Sequence, residues 1–222
     1  MENFQKVIGL AFPEFAGSRY TLLTTGWDCV AVDVDDRWIF KFPRHLSAEQ
    51  ALRTEVSLLE VLRPFLTLPV PAPELHPGHP IFSRHLKLKG DHLLAEQYEA
   101  LPDGDRQRLA EDLALFYAEL HGIDAAAVHG AGARPIKPWL SPEEIADSGF
   151  GSLHQEFIYS NWIAPDLTAR IVTEYEIRTG RSLDRTRIHL LSGVLRLSEL
   201  AEYADDPHHA PAMTNNVRSW AG

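Results

Sequence analysis

One lysine and one glutamate, fourteen residues apart, constrain this chain more than any other feature. Lys41 lies in the strand-like stretch 38–44 (Trp-Ile-Phe-Lys-Phe-Pro-Arg), and Glu55 lies in the helix-like stretch 52–59 (Leu-Arg-Thr-Glu-Val-Ser-Leu-Leu). A lysine between bulky apolar neighbours needs an anion or a phosphate close by, because an isolated buried charge is costly. A glutamate on the next helix can hold that lysine in place. The pair therefore predicts a strand and a helix joined by an ion pair at a phosphate site.

The residues before Lys41 predict a small antiparallel meander. Residues 19–41 divide into three short strands, the second and third joined by a turn at Asp35-Asp36. The loop 24–28 joins the first two strands and would lie over the phosphate site. Its candidate phosphate-binding residues are Thr25, Gly26, Trp27 and Asp28. One glycine alone is a weak signal, but loop, strand lysine and helix glutamate in this order are a much stronger one.

In this order, the loop, Lys41 and Glu55 resemble the aminoglycoside phosphotransferase family, especially its 2″-type and macrolide-kinase-like branches. The resemblance continues through residues 68–74 (Leu-Pro-Val-Pro-Ala-Pro-Glu), 86–90 (Leu-Lys-Leu-Lys-Gly) and 109–123. It implies that Lys41 binds the α- and β-phosphates of a nucleotide and that Glu55 orients Lys41. It also implies a hinge whose backbone meets adenine, with candidate residues His85, Leu86 and Leu88. The implied cofactor is ATP or GTP with Mg²⁺.

The fold that the resemblance implies is an α+β, protein-kinase-like fold of two lobes. A small antiparallel-sheet lobe with one helix would bind the nucleotide and comprise residues 1–84. A truncated, mainly helical lobe would follow over residues 85–204, and residues 205–222 would form a tail. The boundary falls after two proline-rich stretches, 68–73 and 76–80, which cannot be helix interiors.

The family's catalytic loop is missing. Kinase-type enzymes use a His-x-Asp-x-x-x-x-Asn loop, whose Asp takes the substrate proton and whose Asn binds a metal. No such string occurs in the sequence. The nearest candidate, residues 128–131 (Val-His-Gly-Ala), has Ala131 at the position of the catalytic Asp, and we interpret it as a glycine-rich loop after a helix. We therefore assign no catalytic residue.

The candidate metal ligands come from an ungapped overlay of residues 143–157 on the family's metal-binding segment. The overlay places Glu144 at the metal-binding Asp and Asp147 at the second acidic position. It also implies that a segment with the catalytic loop is absent between about Trp139 and Asp147. Residues 141–144 (Ser-Pro-Glu-Glu) have an alternative interpretation, which we favour for Glu144, as the capped start of a helix.

Three helices are predicted after residue 100 from apolar residues at steps of three and four. Their apolar positions are Leu109, Leu113, Phe116, Tyr117 and Leu120; then Leu167, Ile171, Val172 and Tyr175; then Ile188, Leu191, Val194, Leu195, Leu197 and Leu200. Gly122 and Gly180 would end the first two helices. We assign these apolar positions to the core. The proline-containing end of the chain predicts a tail that orders only by packing Trp220.

Composition excludes several classes of function. The net charge of -10 argues against a general nucleic-acid binder and suits a cationic substrate such as an aminoglycoside, although acidity that only serves solubility explains it equally well. The absence of a long apolar run and of a signal peptide predicts a cytoplasmic protein without a membrane partner. The one cysteine, Cys29, is interpreted as a packed apolar group.

Two hypotheses for function remain open. The first, which we favour, is a catalytically impaired or silent relative that keeps a nucleotide-binding lobe and serves as a binding or dimerisation module. The alternative is an active ATP- or GTP-dependent kinase that phosphorylates a hydroxyl of an aminoglycoside or a similar small molecule. The missing segment also predicts uncovered apolar helix faces, and hence either a homodimer or a rearranged helical lobe.

Overall fold

The computed structural model describes residues 1–23, 28–132, 157–205 and 210–221 of the chain. The fold is α+β, and its contacts divide it into two compact units. The first contains the described residues of Met1–Gly90 and Glu119–Pro135, and the second contains those of Asp91–Ala118 and Ile136–Gly222. Each unit has its own hydrophobic core.

The first unit contains a five-stranded sheet in which all hydrogen-bonded neighbours are antiparallel. The strands are β1 (Tyr20–Leu23), β2 (Cys29–Val34), β3 (Trp38–Pro43), β4 (Glu74–His76) and β5 (Phe82–Leu86), in the order β1-β2-β3-β5-β4. Asp35 and Asp36 are the central residues of a turn between β2 and β3, which the Arg37 N–H closes by donating to the Val34 carbonyl at 3.1 Å. Their φ values of 57° and 55° are positive, as a type I′ turn requires. This confirms the predicted turn, whereas β4 and β5 had no clear signal in the sequence.

One face of the sheet is apolar and packs against the first helix, α1 (Glu2–Ala11). Its core is formed by Ile8, Phe15, Val32, Val34, Phe40, Phe42 and Phe82. Side chains alternate between the two faces of a strand, so Lys41 projects to the opposite face from Phe40 and Phe42. The apolar face therefore stabilises the sheet, and the opposite face carries Lys41.

The second helix, α2 (Leu46–Leu62), contacts β3, β4 and β5. His45 begins it as the N-cap, since its Nδ1 accepts a hydrogen bond from the Ala48 backbone at 3.2 Å. Ala48 and Leu52 are its buried residues, and Glu55 follows them by one turn. A further short helix, α5 (Ala125–Gly130), also belongs to this unit and is capped by Asp124, whose carboxylate accepts from the Ala126 backbone.

The second unit is helical. Its helices are α3 (Ala95–Ala100), most of α4 (Asp103–His121), α6 (Pro165–Thr179), α7 (Arg185–Glu202) and α8 (Ala210–Ala221). Tyr98, Phe157, Leu167, Ile171 and Tyr175 are among the residues of its core. The predicted helix ends are confirmed: α4 ends one residue before Gly122, and Gly180 ends α6 with a φ of 68°.

Two expectations for the end of the chain need correction. Val194 and Leu197 were assigned to the core, but they are 44% and 49% exposed, because the apolar stripe of α7 is wider than its covered face. Residues 210–221 of the predicted tail form the regular helix α8, which the sequence periodicity did not predict. Pro211 does not prevent this, since the first turn of a helix tolerates proline. Trp220 packs as expected, stacking on His189 and donating to its carbonyl oxygen at 2.9 Å.

Candidate functional site

The centre of the candidate site is the ion pair between β3 and α2. The ammonium nitrogen of Lys41 lies 2.7 Å from Oε1 and 2.6 Å from Oε2 of Glu55. The two side chains are 26% and 38% exposed, so the pair is open to a ligand. The ion pair predicted from the sequence is confirmed.

The pair is suited to binding an anion. A lysine ammonium group has three N–H donors and can keep one for a ligand when two point to a carboxylate. An ion pair this exposed contributes only about 0–1 kcal/mol to stability. Both side chains line a cavity of about 310 Å³, the other walls being Asp28, Cys29, Ala31, Ala48, Ala51 and Leu52. The Lys41 ammonium group, held in a fixed position beside this cavity, is able to bind a phosphate group.

Cys29 lies in the wall of this cavity but has the character of a packed thiol. It is half-buried on β2, and burial raises the pKa of its thiol. A raised pKa keeps the thiol protonated at neutral pH, and only the thiolate is a strong nucleophile. Cys29 therefore shapes the cavity without offering reactive chemistry.

Only one end of the predicted phosphate loop lies within the described residues. The Asp28 carbonyl accepts a hydrogen bond from the Arg44 backbone at 2.8 Å, and its carboxylate lies 3.5 Å from Nε2 of His45. These contacts attach the end of the loop to the start of α2. Thr25, Gly26 and Trp27 lie outside the described residues, and their phosphate-binding role stays a prediction.

The predicted hinge residues are placed at and just after the end of β5. His85 pairs with Ile39 across the strands, on the same face as Lys41, whereas Leu86 pairs with Trp38 and belongs to the opposite face. Nδ1 of His85 lies 2.9 Å from the Leu86 carbonyl oxygen. Since a carbonyl only accepts, Nδ1 carries the proton. Leu88 is exposed, and the role of all three residues in binding a base stays a prediction.

The sequence pattern missed a cluster of charges beside the predicted hinge residues. Lys87 places its ammonium nitrogen 2.6 Å from a carboxylate oxygen of Asp33 and 2.6 Å from one of Asp36. Lys89 lies 2.5 Å from the Asp36 carboxylate, and hydrogen bonds from the two lysines lower the pKa of Asp36 to about 2. The partners are more than fifty residues apart in sequence, so local periodicity gave no sign of them. The one signal was the charged Asp33 between Val32 and Val34.

The nearest substitute for the catalytic loop is part of a helix and not a loop, which corrects the interpretation of residues 128–131. Val128, His129 and Gly130 form the end of α5, and Ala131 is its C-cap. Nδ1 of His129 lies 2.8 Å from the Ala125 carbonyl oxygen, one turn earlier. The cap at Asp124 allows this short helix to form.

The candidate metal ligands Glu144 and Asp147 lie outside the described residues. Within the described ranges, no group of three or more His, Cys, Asp or Glu side chains is arranged to hold a metal ion. The same ranges contain no helix that has both the length and the apolar character needed to cross a membrane.

Comparisons with known proteins agree on the type of fold. Residues 19–189 match the model of the APH family, described as the phosphotransferase enzyme family. The structure is similar to the GDP complex of aminoglycoside 2'-phosphotransferase-IIIa, with a TM-score of 0.75 and 15% identity over 98% of this chain and 97% of that chain. It is also similar to a GDP and kanamycin complex of APH(2")-IIia, with a TM-score of 0.73 and 18% identity over 100% and 99% of the two chains.

A third solved structure extends the similarity to macrolide enzymes. Macrolide 2'-phosphotransferase MphH from Brachybacterium faecium aligns with a TM-score of 0.63 and 14% identity over 98% of each chain. No curated protein sequence matches this chain. At these identities the structural similarity supports the fold, and the residues of the site have to support the chemistry.

Proposed function

This chain belongs to the phosphotransferase enzyme family, and from that premise we propose that it binds a purine nucleotide and has impaired or no catalytic turnover. The observation that carries the proposal is the Lys41–Glu55 pair, which presents a fixed cation beside a cavity. The fold is that of the protein-kinase-like enzymes, in which a strand lysine and a helix glutamate form a pair of this kind.

In the proposed complex, Lys41 donates to the α- and β-phosphates while Glu55 keeps the ammonium group in position. The loop residues Thr25, Gly26, Trp27 and Asp28 cover the phosphates, and His85, Leu86 and Leu88 meet the base. Structurally similar enzymes are named as complexes with GDP or ADP, which supports a nucleoside phosphate as the ligand. The nucleotide is ATP or GTP.

The proposed loss of turnover rests on the residues that are not in the sequence. Phosphoryl transfer depends on positioning the acceptor hydroxyl and compensating charge, and an Asp and an Asn of the catalytic loop normally do this. With Ala131 in the nearest matching position, no residue of this chain is assigned to move the proton. Loss of both groups lowers the rate by several orders of magnitude.

The resemblance assigns magnesium to Asp147 and Glu144. Bound magnesium would compensate the charge of the nucleotide phosphates. Both residues lie outside the described ranges, so we assign no step to the metal.

Any phosphate acceptor is proposed to be a small cationic molecule. The net charge of -10 favours a cation electrostatically, and two structurally similar enzymes are named as complexes with kanamycin and gentamicin. If the chain is active, the reaction is transfer of the terminal phosphate of the nucleotide to a hydroxyl of that molecule. The composition further predicts a cytoplasmic location and no nucleic-acid partner.

Nucleotide binding is tested by calorimetric titration of ATP and GTP into the wild type, K41M and K6M. Lys6 is an exposed lysine on α1, the helix that packs on the opposite face of the sheet, so K6M removes the same charge away from the site. We expect K41M to weaken binding about ten-fold or more, because it removes a direct charge-assisted contact. A wild type that binds neither nucleotide, or equal affinities for K41M and K6M, would overturn the proposal.

Turnover is tested by a coupled assay of nucleotide consumption with a panel of aminoglycosides and macrolides. We expect rates far below the range of about 1–100 s⁻¹ that is ordinary for kinases. The K41M variant, purified in parallel, measures any contaminating kinase. Substrate-dependent turnover in the ordinary range that K41M abolishes would instead establish the active alternative.

A further inference from the structure

A buried carboxylate lies on the same face of the sheet as Lys41. Asp33 of β2 pairs with Ile39 of β3, and Ala31 pairs with Lys41, so Asp33 and Lys41 are diagonal neighbours. Diagonal neighbours on one face of an antiparallel pair lie about 7–8 Å apart. The Asp33 side chain is only 8% exposed. An anionic ligand bound at Lys41 would therefore meet a negative charge with little water around it.

Lys87 compensates that charge from the segment that follows β5. Its ammonium nitrogen lies 2.6 Å from the Asp33 carboxylate and 2.6 Å from the Asp36 carboxylate, and the side chain is 27% exposed. Lys87 also donates its backbone N–H to the Arg37 carbonyl at 2.8 Å, which fixes where the side chain begins. The hydrogen bonds that Lys87 donates to the carboxylates of Asp33 and Asp36 raise the pKa of Lys87, so it remains charged at neutral pH.

We propose that Lys87 is a positioning residue for nucleotide binding: it neutralises Asp33 and so keeps the face around Lys41 attractive to phosphate. The inference rests on the proposed function, since it concerns a nucleotide bound at that face. Lys87 itself makes no contact with the ligand in this proposal. The Asp33 carboxylate and a phosphate bound at Lys41 are close enough, and partly buried enough, for their charges to change the affinity by about an order of magnitude.

Lys89, two residues after Lys87, provides a matched control. Lys89 also binds Asp36, at 2.5 Å, but its side chain is 66% exposed, and none of its described contacts is to Asp33. K87M and K89M therefore remove the same charge from the same segment. Only K87M leaves the buried Asp33 carboxylate uncompensated on the Lys41 face.

The test compares affinities for a nucleoside triphosphate and for the corresponding nucleoside, adenosine or guanosine, which carries no phosphate. We expect K87M to weaken triphosphate binding about ten-fold and to leave nucleoside binding within about two-fold. K89M should change neither by more than about two-fold. The double variant D33N/K87M should restore triphosphate binding, because it removes both members of the pair.

Three results would overturn the inference while the proposed function stands. An equal loss of triphosphate and nucleoside affinity in K87M would indicate a purely structural role. A triphosphate-specific loss that D33N/K87M fails to restore would indicate that Lys87 contacts the phosphates directly. Equal triphosphate affinities for K87M and K89M would show that Asp33 needs no counter-ion. A wild type that binds no nucleotide would instead overturn the proposed function, and this inference with it.

K87M could fail to fold, because a buried carboxylate without its partner is strongly destabilising. The single variant D33N avoids this difficulty, since Lys87 keeps Asp36 as a partner. We expect D33N to bind the triphosphate as tightly as the wild type or several-fold more tightly, because the face becomes more positive. Weaker triphosphate binding by D33N would contradict the proposal.

Discussion

The ammonium nitrogen of Lys41 lies within 2.7 Å of both carboxylate oxygens of Glu55, joining the centre of β3 to the middle of α2. The contact is between two partly exposed side chains, each of which could be solvated without the other. Exposed ion pairs contribute little to folding. The geometry therefore fits a role in positioning Lys41 better than a role in stabilising the sheet.

The first prediction concerns E55Q. Because an amide has one acceptor oxygen, it can bind the ammonium group but no longer fixes it with two contacts. We expect nucleotide affinity to fall about three- to ten-fold, measured by calorimetry, while the free energy of unfolding changes by less than about 1 kcal/mol. E60Q, at an exposed position of the same helix, is the control. A loss of stability with unchanged affinity would show that the pair is structural.

The second prediction concerns G193A. A Cβ atom built at Gly193 would lie far inside van der Waals contact with the ring of Trp220, which docks α8 on α7. The ring has to move or α8 has to shift, and we expect a loss of about 1–3 kcal/mol in the free energy of unfolding. Urea unfolding followed by tryptophan fluorescence measures it.

The control for this change is G9A. Gly9 lies in helix α1, and a Cβ atom there meets nothing within 4 Å. Alanine is a better helix former than glycine, so G9A should stabilise the protein by about 0.5–1 kcal/mol. If G193A were as stable as G9A, the docking of Trp220 against α7 would not require a glycine.

The sequence predicted the elements of the first unit that depend on local patterns. The turn at Asp35 and Asp36, the strand with Lys41 and its ion pair with Glu55 are all confirmed, and the family resemblance is confirmed by the match over residues 19–189. The apolar periodicity also located α4, α6 and α7.

What the sequence could not predict depends on contacts between distant residues. Lys87 and Asp33 are 54 residues apart, and the pairing of β3 with both β2 and β5 brings them together. Helix α8 was missed because its order depends on Trp220 docking on His189 and Gly193, a packing contact and not a local propensity. Val194 and Leu197 were wrongly assigned to the core. Apolar periodicity predicts which residues form a stripe on the helix, but it does not predict how much of that stripe the rest of the protein covers.

The third prediction concerns Y98F in the helical core. Tyr98 is 1% exposed and its hydroxyl donates to the Asp166 carboxylate at 2.6 Å. Hydrogen bonds to charged groups contribute about 1.5–3 kcal/mol. We expect Y98F to lower the free energy of unfolding by about that amount at pH 7, measured by urea unfolding. An unchanged stability would contradict it.

The same hydroxyl gives the effect a pH dependence. Burial, together with the hydrogen bond to Asp166, raises the pKa of Tyr98 to about 12. A raised pKa in the folded state stabilises the protein below the unfolded pKa of about 10, and this contribution is lost as the pH rises through 12. The difference in stability between the wild type and Y98F should therefore be constant from about pH 6 to pH 9 and shrink above pH 10. It should also shrink in acid, because the hydrogen bond from Tyr98 lowers the pKa of Asp166. A difference that grew above pH 10 would contradict the assignment.

The last prediction concerns self-association through α7. Leu190, Val194 and Leu197 are 55%, 44% and 49% exposed and are spaced by four and three residues, so they form one apolar stripe on the helix surface. Burying such a stripe against a second copy is favourable at about 25 cal/mol per Å² of apolar area. We expect the protein to form a homodimer whose fraction rises with concentration, measured by light scattering from about 1 to 200 µM.

The variant L190Q/L197Q should shift this equilibrium to the monomer, because two polar side chains at the ends of the stripe would lose water without a partner. L10Q is the control, since Leu10 is 75% exposed on α1 in the other unit. L10Q should dimerise like the wild type. A wild type that stays monomeric over the whole range, or an equal loss of dimer in L10Q, would show that the stripe on α7 is not an interface between copies of this chain.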